Sequence, residues 1–197
     1  DRTYVSFRVL GFQGLRVEDV AGLTPIAMPH IQVEFVPKWK PGGGTMYARF
    51  DAISVTRTQG MSTHRVSTSL EWNKYNILNN GMVLESEALV RADVYNIEDS
   101  RLPDDPAFAG VDGTHDRFLT HWSSRLSYPM VKFKGSSSQT IEPILEVTLA
   151  PNGGNPVGLS NEDSRAFELN HINLFNTDRS SGLDLWECGT RITYGLR

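Results

Sequence analysis

The chain contains few of the residues and motifs on which many enzymes and secreted domains depend. Its 197 residues include one cysteine, Cys188, which excludes an internal disulfide and a cysteine-rich metal site. It contains no Asn-x-Ser/Thr sequon. No apolar run approaches the roughly 20 residues that a membrane-spanning helix needs. These absences favour a soluble protein of a reducing compartment, without membrane insertion.

Catalytic signatures are also absent. Gly42-Gly43-Gly44 is followed by Thr45 without a Lys-Ser/Thr pair, so this stretch is not a phosphate-binding loop. No Gly-x-Ser-x-Gly element occurs. We therefore predict no enzyme activity, no catalytic residue, no metal site and no cofactor.

The charge balance argues against nucleic-acid binding by the body of the chain. Its net charge is −4, and phosphate binding depends on a surplus of Lys and Arg. The sequence opens at Asp1-Arg2 without a methionine. We therefore expect residues upstream of Asp1 to have been cut away, and a basic arm among them would change this balance.

Alternation of apolar and polar residues, which is typical of half-buried strands, is what the sequence has in abundance. Met82–Tyr95 is ambiguous, because Glu85–Ala92 would also suit two helical turns. The other predicted strands are Thr3–Leu10, His30–Val36, Met46–Thr56, Arg65–Trp72, Thr120–Phe133 with a break at Pro129, Ile144–Leu149, Phe167–Phe175 and Leu183–Leu196.

Residues 96–116 are rich in Asp, Pro and Gly, and we predict a long exposed loop there. A metal site is one interpretation of the histidines and acidic residues that lie close together in this part of the sequence. They are Asp99, Asp104, Asp105, Asp112, His115, Asp116 and His121. The spacing matches no known metal-binding loop, so a solvated acidic loop is the default interpretation.

These patterns predict an all-β fold: a single jelly-roll β-sandwich of about eight antiparallel strands with long loops, in one domain over residues 1–197. We expect the final strand to lie inside its sheet, because no tail follows it.

The order of landmarks resembles one viral family. HIQVEFVP is followed by a Gly-rich loop and GGGTMYARFDAIS, and later by HWSSRLSYP, ILEVTLAPNGG, FELNHINLF and LDLWECGTRITYGL. This succession is similar to the jelly-roll capsid proteins of circoviruses and related small circular single-stranded-DNA viruses. The chain departs from them in a longer stretch over Gln59–Asp116 and in the missing arginine-rich arm.

The resemblance implies a structural capsid protein that self-assembles into an icosahedral shell around the genome. Its partners would be further copies of itself, a host receptor and viral nucleic acid, the last bound mainly through the missing basic arm. Its location would be the virion, and the host nucleus during assembly.

Several residues are candidates for these contacts. Trp122 and Tyr128 are candidates for subunit interfaces, where aromatic residues are favoured, and core packing is the alternative. Candidates for facing nucleic acid, by base stacking and phosphate contact, are Lys38, Trp39, Lys40, Arg49, Arg57 and Arg65. For Lys38–Lys40, an exposed loop tip is the simpler interpretation.

Two other functions stay open. A jelly-roll carbohydrate-binding module would use Trp39, Trp72 or Trp122 as a platform for sugar stacking, with acidic residues holding Ca²⁺. A β-sandwich hydrolase would need a catalytic triad that only the fold brings together.

Overall fold

The computed structural model describes residues 2–16, 19–100, 110–165 and 167–197. Two short 3₁₀ turns, Ala21–Leu23 and Pro41–Gly43, are the helical elements within these ranges. The strands are β1 (Arg2–Gly11), β2 (Ile26–Val36), β3 (Thr45–Thr56), β4 (Ser62–Ile77), β5 (Val83–Glu98), β6 (Gly113–Ser127), β7 (Met130–Lys134), β8 (Ser137–Ile141), β9 (Pro143–Ala150) and β10 (Gly189–Leu196).

Eight of the strands form one antiparallel sheet in chain order, β1-β2-β3-β4-β5-β6-β9-β10, and β7 pairs with β8 in a separate hairpin. The predicted all-β fold with about eight antiparallel strands is confirmed. The arrangement differs from a jelly roll, because a jelly roll divides its strands between two packed sheets. Here β1 to β6, β9 and β10 pair in the order in which they follow along the chain, and they form a single sheet.

The central strands are long. β4 and β5 contain 16 residues each and are paired from Ser62↔Glu98 to Ile77↔Val83. Their connection contains Asn80 and Gly81; the Asn80 side chain accepts a hydrogen bond from the Met82 amide at 3.1 Å, and Gly81 has φ +84°. A positive φ at this position suits glycine, and the predicted turn is therefore present.

The two strands predicted near the end of the chain are only partly present. Residues 167–175 contain no strand and form turns over residues 171–175, and the last strand begins at Gly189. In the described sheet β10 pairs with β9 alone, so the expectation of an interior final strand is wrong.

The connection between β9 and β10 is long and lies across one face of the sheet. We call residues 151–188 the strap; residue 166 within it lies outside the described residues. Strap side chains bond to β4, β5 and β6, for example Asp184 to Arg65 on β4 and to Tyr95 on β5. The strap therefore covers the middle of that face.

The apolar core of the described residues is small. Met61, Tyr95 and Ile97 are buried together, and Leu159 of the strap packs against them. β5 and β6 extend into both ends of the predicted loop 96–116, up to Glu98 and from Gly113. Residues 101–109, which include Asp104 and Asp105, lie outside the described residues. Among the described residues, no helix has the length and hydropathy that a membrane crossing requires.

Candidate functional site: an apolar face and a charged face

One face of the sheet is apolar and exposed across all its strands. Alternate residues of a strand point to the same side, and the strand pairing puts them in continuous rows, such as Val5↔Val33 and Val33↔Phe50. Large apolar side chains on this apolar face include Val5, Phe7, Phe35, Phe50, Val66, Leu70, Val90, Val94, Phe118, Trp122, Leu145, Leu149, Ile192 and Tyr194. Phe118 is 70% exposed and Ile192 is 67% exposed, so these positions do not form a protein core.

Polar rows bound the apolar face at both ends of the strands. At one end, Ser54, His64, Asn96 and Thr114 are cross-strand neighbours on β3 to β6. Toward the other end, Lys74 on β4 pairs with Ser86, and Ser86 pairs with Ser124. Between His64 and Lys74, the stretch Val66–Trp72 spans about 20 Å at about 3.3 Å per residue. The apolar surface is therefore a band with defined margins.

The opposite face of the sheet, which the strap covers, is charged. Arg65 on β4 is almost fully buried and forms three ion pairs through its guanidinium group: with Asp184 at 2.6 Å, Asp163 at 2.8 Å and Asp51 at 3.0 Å. Asp51 belongs to β3, whereas Asp163 and Asp184 belong to the strap. Arg65 thus joins two strands to the strap.

A second buried cluster on the charged face is centred on Asp93 of β5. One carboxylate oxygen of Asp93 accepts from Arg91 at 2.8 Å, and the other lies 2.7 Å from Nη2 of Arg117 on β6. Arg117 also donates to the backbone carbonyls of Leu183 and Asp184 in the strap, both at 2.6 Å. The arginine therefore has partners on the sheet and on the strap.

Burial and neighbouring charge move two strap carboxyl groups in opposite directions. Burial raises the pKa of Asp184, and the nearby Asp163 carboxylate adds to this effect against the attraction of Arg65. Burial also acts to raise the pKa of Asp163, but the charge and hydrogen bond of Arg65, together with the backbone amides of Asp184 and Leu183, outweigh it, so that pKa is lowered. The backbone amides of Glu162 and Asp163 donate to Asp184 at 2.6 and 3.0 Å. This pair ties two parts of the strap together beside Arg65.

Another contact between the strap and the charged face is an aromatic stack. The His121 ring on β6 stacks on the Trp186 indole of the strap with 5.3 Å between ring centroids. Nε2 of His121 is 2.6 Å from Glu87 on β5, and Glu87 accepts from Thr177 of the strap at 3.3 Å. This part of the strap is therefore held by stacking and by a shared carboxylate.

A cavity of about 790 Å³ lies between the strap and the charged face. Most of the residues that line it are polar or charged, including Gln32, Ser67 and Glu71 from the strands, and Phe175 and Trp186 of the strap add apolar surface. Within the described ranges, no group of three or more His, Cys, Asp or Glu side chains is placed to hold a metal ion. Nε2 of His115 lies 2.7 Å from the Val111 carbonyl oxygen, so His115 and His121 are engaged separately.

The arginines predicted to face nucleic acid are engaged with carboxylates. Arg65 forms the ion pairs described above, Arg57 makes a two-pronged contact with Glu162 at 2.6 and 2.8 Å, and Arg49 pairs with Glu71 at 3.2 Å. Arg57 and Arg65 are also buried beneath the strap. Arg49, in contrast, is about half exposed.

The other predicted residues lie apart from these arginines. Lys38, Trp39 and Lys40 are exposed in the connection between β2 and β3. Trp122 and Tyr128 are exposed on and beside β6, with Trp122 on the apolar face. The ion-pair clusters around Asp93, Asp163 and Asp184 were not predicted, and the signal for them was the set of charged residues at alternate strand positions, Arg65, Arg91, Asp93 and Arg117.

The distribution of apolar and charged side chains over the two faces of the sheet indicates the class of protein. A sheet with an exposed apolar face and a charged face on its other side reverses the pattern of a water-soluble sandwich, and it is typical of sheets that contact lipid. The chain belongs to the family LptD, LPS transport system D, whose family model it matches over residues 1–197. No curated protein matches the chain significantly.

The family membership overturns the viral interpretation. The predicted circovirus-like capsid, its self-assembling shell and viral nucleic-acid partner, and its location in the virion and host nucleus are wrong, because the whole chain matches a lipopolysaccharide transport family. The carbohydrate-binding alternative has no support either. The resemblance rested on alternating strands and turn-rich loops, and these occur in any antiparallel sheet with long connections.

Proposed function

We propose that this chain takes part in lipopolysaccharide transport as a sheet embedded in a lipid membrane. The apolar face contacts lipid hydrocarbon, and the charged face with its strap borders a polar space shielded from the lipid. The observation that carries the proposal is the exposed apolar band, which runs from β1 to β10 and contains Asp116 of β6 next to the polar row of Thr114. Membership of the LPS transport system D family supplies the transport role.

The strand lengths support a membrane position. A strand needs about 9–11 residues to cross the hydrocarbon of a bilayer, and β4, β5 and β6 contain 16, 16 and 15 residues. Membrane sheets present an apolar band about 25 Å tall, and the stretch Val66–Trp72, about 20 Å long at about 3.3 Å per residue, covers most but not all of that height. The surplus strand length carries the polar rows at the margins.

The pairing of the charges supports the same orientation. An ionised side chain facing hydrocarbon costs several kcal/mol unless it is paired and hydrogen-bonded. Arg65, Arg91 and Arg117 lie on the face opposite the hydrocarbon, and each has a carboxylate within 2.8 Å. No catalytic step is assigned to the chain in this proposal.

A charge placed at two depths on β4 tests the proposal. Leu70→Arg puts a guanidinium in the middle of the apolar band, and His64→Arg puts the same group in the polar row at its margin. Leu70→Arg is expected to reduce the free energy of unfolding from lipid vesicles by about 2–4 kcal/mol, and His64→Arg by about 0–1 kcal/mol. Reversible urea unfolding of the vesicle-bound protein measures both.

The same two variants test the transport role in cells. When either variant replaces the natural protein, surface lipopolysaccharide should fall with Leu70→Arg and persist with His64→Arg. Equal stability of the two variants in vesicles would contradict the membrane position. Normal surface lipopolysaccharide in cells that lack the protein would contradict the transport role.

A further inference from the structure

All five lysines of the sequence lie at one end of the sheet. Lys38 and Lys40 lie in the connection between β2 and β3, Lys74 lies near the end of β4, and Lys132 and Lys134 lie on β7. The antiparallel order puts the β2–β3, β4–β5 and β6–β9 connections at this same end. We call these five residues the lysine rim.

Close contacts join the connections that carry the lysine rim. The Trp72 indole N–H donates to the Pro41 carbonyl oxygen at 2.9 Å, and a Cβ added at Gly43 would lie 3.9 Å from Cε of Lys74. On the next connection, a Cβ added at Gly81 would lie 3.6 Å from the Tyr128 ring. The rim therefore follows neighbouring connections along one margin of the sheet.

Exposed aromatic side chains alternate with the lysines. Trp39 lies between Lys38 and Lys40 and is 69% exposed, and Phe133 lies between Lys132 and Lys134 and is 79% exposed. Tyr75 and Tyr128 are also exposed at this end. Aromatic rings next to flexible cations are enriched where hydrocarbon meets lipid headgroups.

Acidic residues at this end pair with arginines, and Glu34 shares Arg49 with Glu71. Glu71 pairs with Arg49, Glu85 with Arg125, and Glu142 with Arg197, at 3.2, 3.2 and 3.5 Å. Within the described part of the chain, Lys40, Lys74, Lys132 and Lys134 form no ion pair. The hairpin of β7 and β8 is exposed along both strands and contains no acidic residue. This end of the sheet therefore has a local surplus of positive charge, although the whole chain is at −4.

We infer that the lysine rim binds the phosphate-bearing headgroups of anionic lipids. The inference rests on the proposed function, since it needs the apolar face in hydrocarbon and the rim at the level of the headgroups. Lysine near an anionic membrane surface is favoured by roughly fivefold per residue. Lys132 and Lys134 are the strongest contributors, because their hairpin is exposed along both strands and pairs with no strand of the large sheet.

Spin-labelled lipids test the inference in the complete protein reconstituted in phosphatidylcholine vesicles. Electron spin resonance separates lipid that the protein surface immobilises from free lipid, for labelled phosphatidylglycerol and for labelled phosphatidylcholine. The natural protein should immobilise phosphatidylglycerol several-fold more strongly. The double variant Lys132→Gln, Lys134→Gln should lose most of this preference.

A matched control removes two charges at other connections. Arg16 and Arg165 are exposed on the β1–β2 connection and on the strap, and the double variant Arg16→Gln, Arg165→Gln should keep the preference for phosphatidylglycerol. An equal loss in both double variants would overturn the inference, because net charge and not the rim would then set the preference. Displacement of phosphatidylglycerol by inorganic phosphate, but not by chloride at equal ionic strength, would also overturn it in favour of a site for free phosphate.

The immobilised fraction also separates this inference from the proposed function. If phosphatidylcholine is immobilised without any preference for phosphatidylglycerol, the inference about the lysine rim is wrong and the proposed membrane position is supported. If neither lipid is immobilised, the apolar face does not contact lipid and both proposals fail.

Discussion

The two faces of the sheet are built from the same strands and differ in almost every physical respect. On β4, Leu70 belongs to the exposed apolar face, and Arg65 is buried with three carboxylates on the charged face. The apolar face has no protein covering within the described residues, whereas the strap covers the charged face. Alternation along a strand therefore produces two different faces, but it does not specify which of them a protein core will cover.

The difference between the faces also shows which interactions stabilise the fold. The buried apolar cluster contains only Met61, Tyr95 and Ile97 among the described residues. Buried ion pairs in a medium of low dielectric hold the strap to the sheet, and the loss of one partner leaves an uncompensated charge. Substitutions on the charged face should therefore act on folding, and those on the apolar face on the interaction with lipid.

The largest effect is expected from Asp93→Ala on the charged face. This change leaves Arg91 and Arg117 buried without a carboxylate partner, which should cost about 3–5 kcal/mol of the free energy of unfolding. The control is Thr68→Ala on β4, an exposed uncharged residue on the apolar face, which should change it by less than about 0.5 kcal/mol. Urea unfolding of the vesicle-bound variants measures both, and similar losses would mean that the two faces do not differ in this way.

A smaller and more local effect is expected from Trp186→Ala in the strap. Trp186 is buried and stacks on His121, and truncation of a buried aromatic side chain costs about 3 kcal/mol. The strap should open more often, so trypsin should cut more rapidly at Arg165 and Arg179. Trp39→Ala, on an exposed connection, serves as the control and should leave the cleavage rate unchanged. Unchanged cleavage of the Trp186 variant would show that the stack does not hold the strap.

The sequence was sufficient to predict most of the strands. Thr3–Leu10, His30–Val36 and Met46–Thr56 match β1, β2 and β3 to within a few residues, because their alternation is clean. Glu85–Ala92 was ambiguous because Glu, Ala and Leu favour helices. Pairing with β4 on one side and β6 on the other overrides that local preference.

Residues 167–175, with the sequence FELNHINLF, were predicted as a strand between two turn-rich loops. The Asn170 side chain instead accepts hydrogen bonds from the backbone amides of Ile172 and Asn173, at 2.8 and 3.2 Å. Asparagine side chains that bond to the backbone two residues further on favour turns. The strap therefore turns where the apolar pattern alone indicated extension.

The site was harder to predict than the fold. The positions of Arg65, Asp93 and Arg117 in the sequence show that one face of the strands is polar, but not that the strap supplies Asp163 and Asp184 as partners. Those contacts join residues about a hundred positions apart, as with Arg65 and Asp184. The apolar positions were assigned to a sandwich core because soluble proteins bury them, and a lipid environment leaves the same alternation in the sequence.

The most direct test of whether the apolar face contacts lipid is whether lipid acyl chains touch Trp122 and not Trp186. Lipids with bromine on the acyl chains quench the fluorescence of a tryptophan that they contact. In vesicles of such lipids, Trp122→Phe should lower the quenched fraction of the tryptophan emission, and Trp186→Phe should raise it. The opposite changes, or no quenching in the natural protein, would contradict the assignment of the apolar face to lipid.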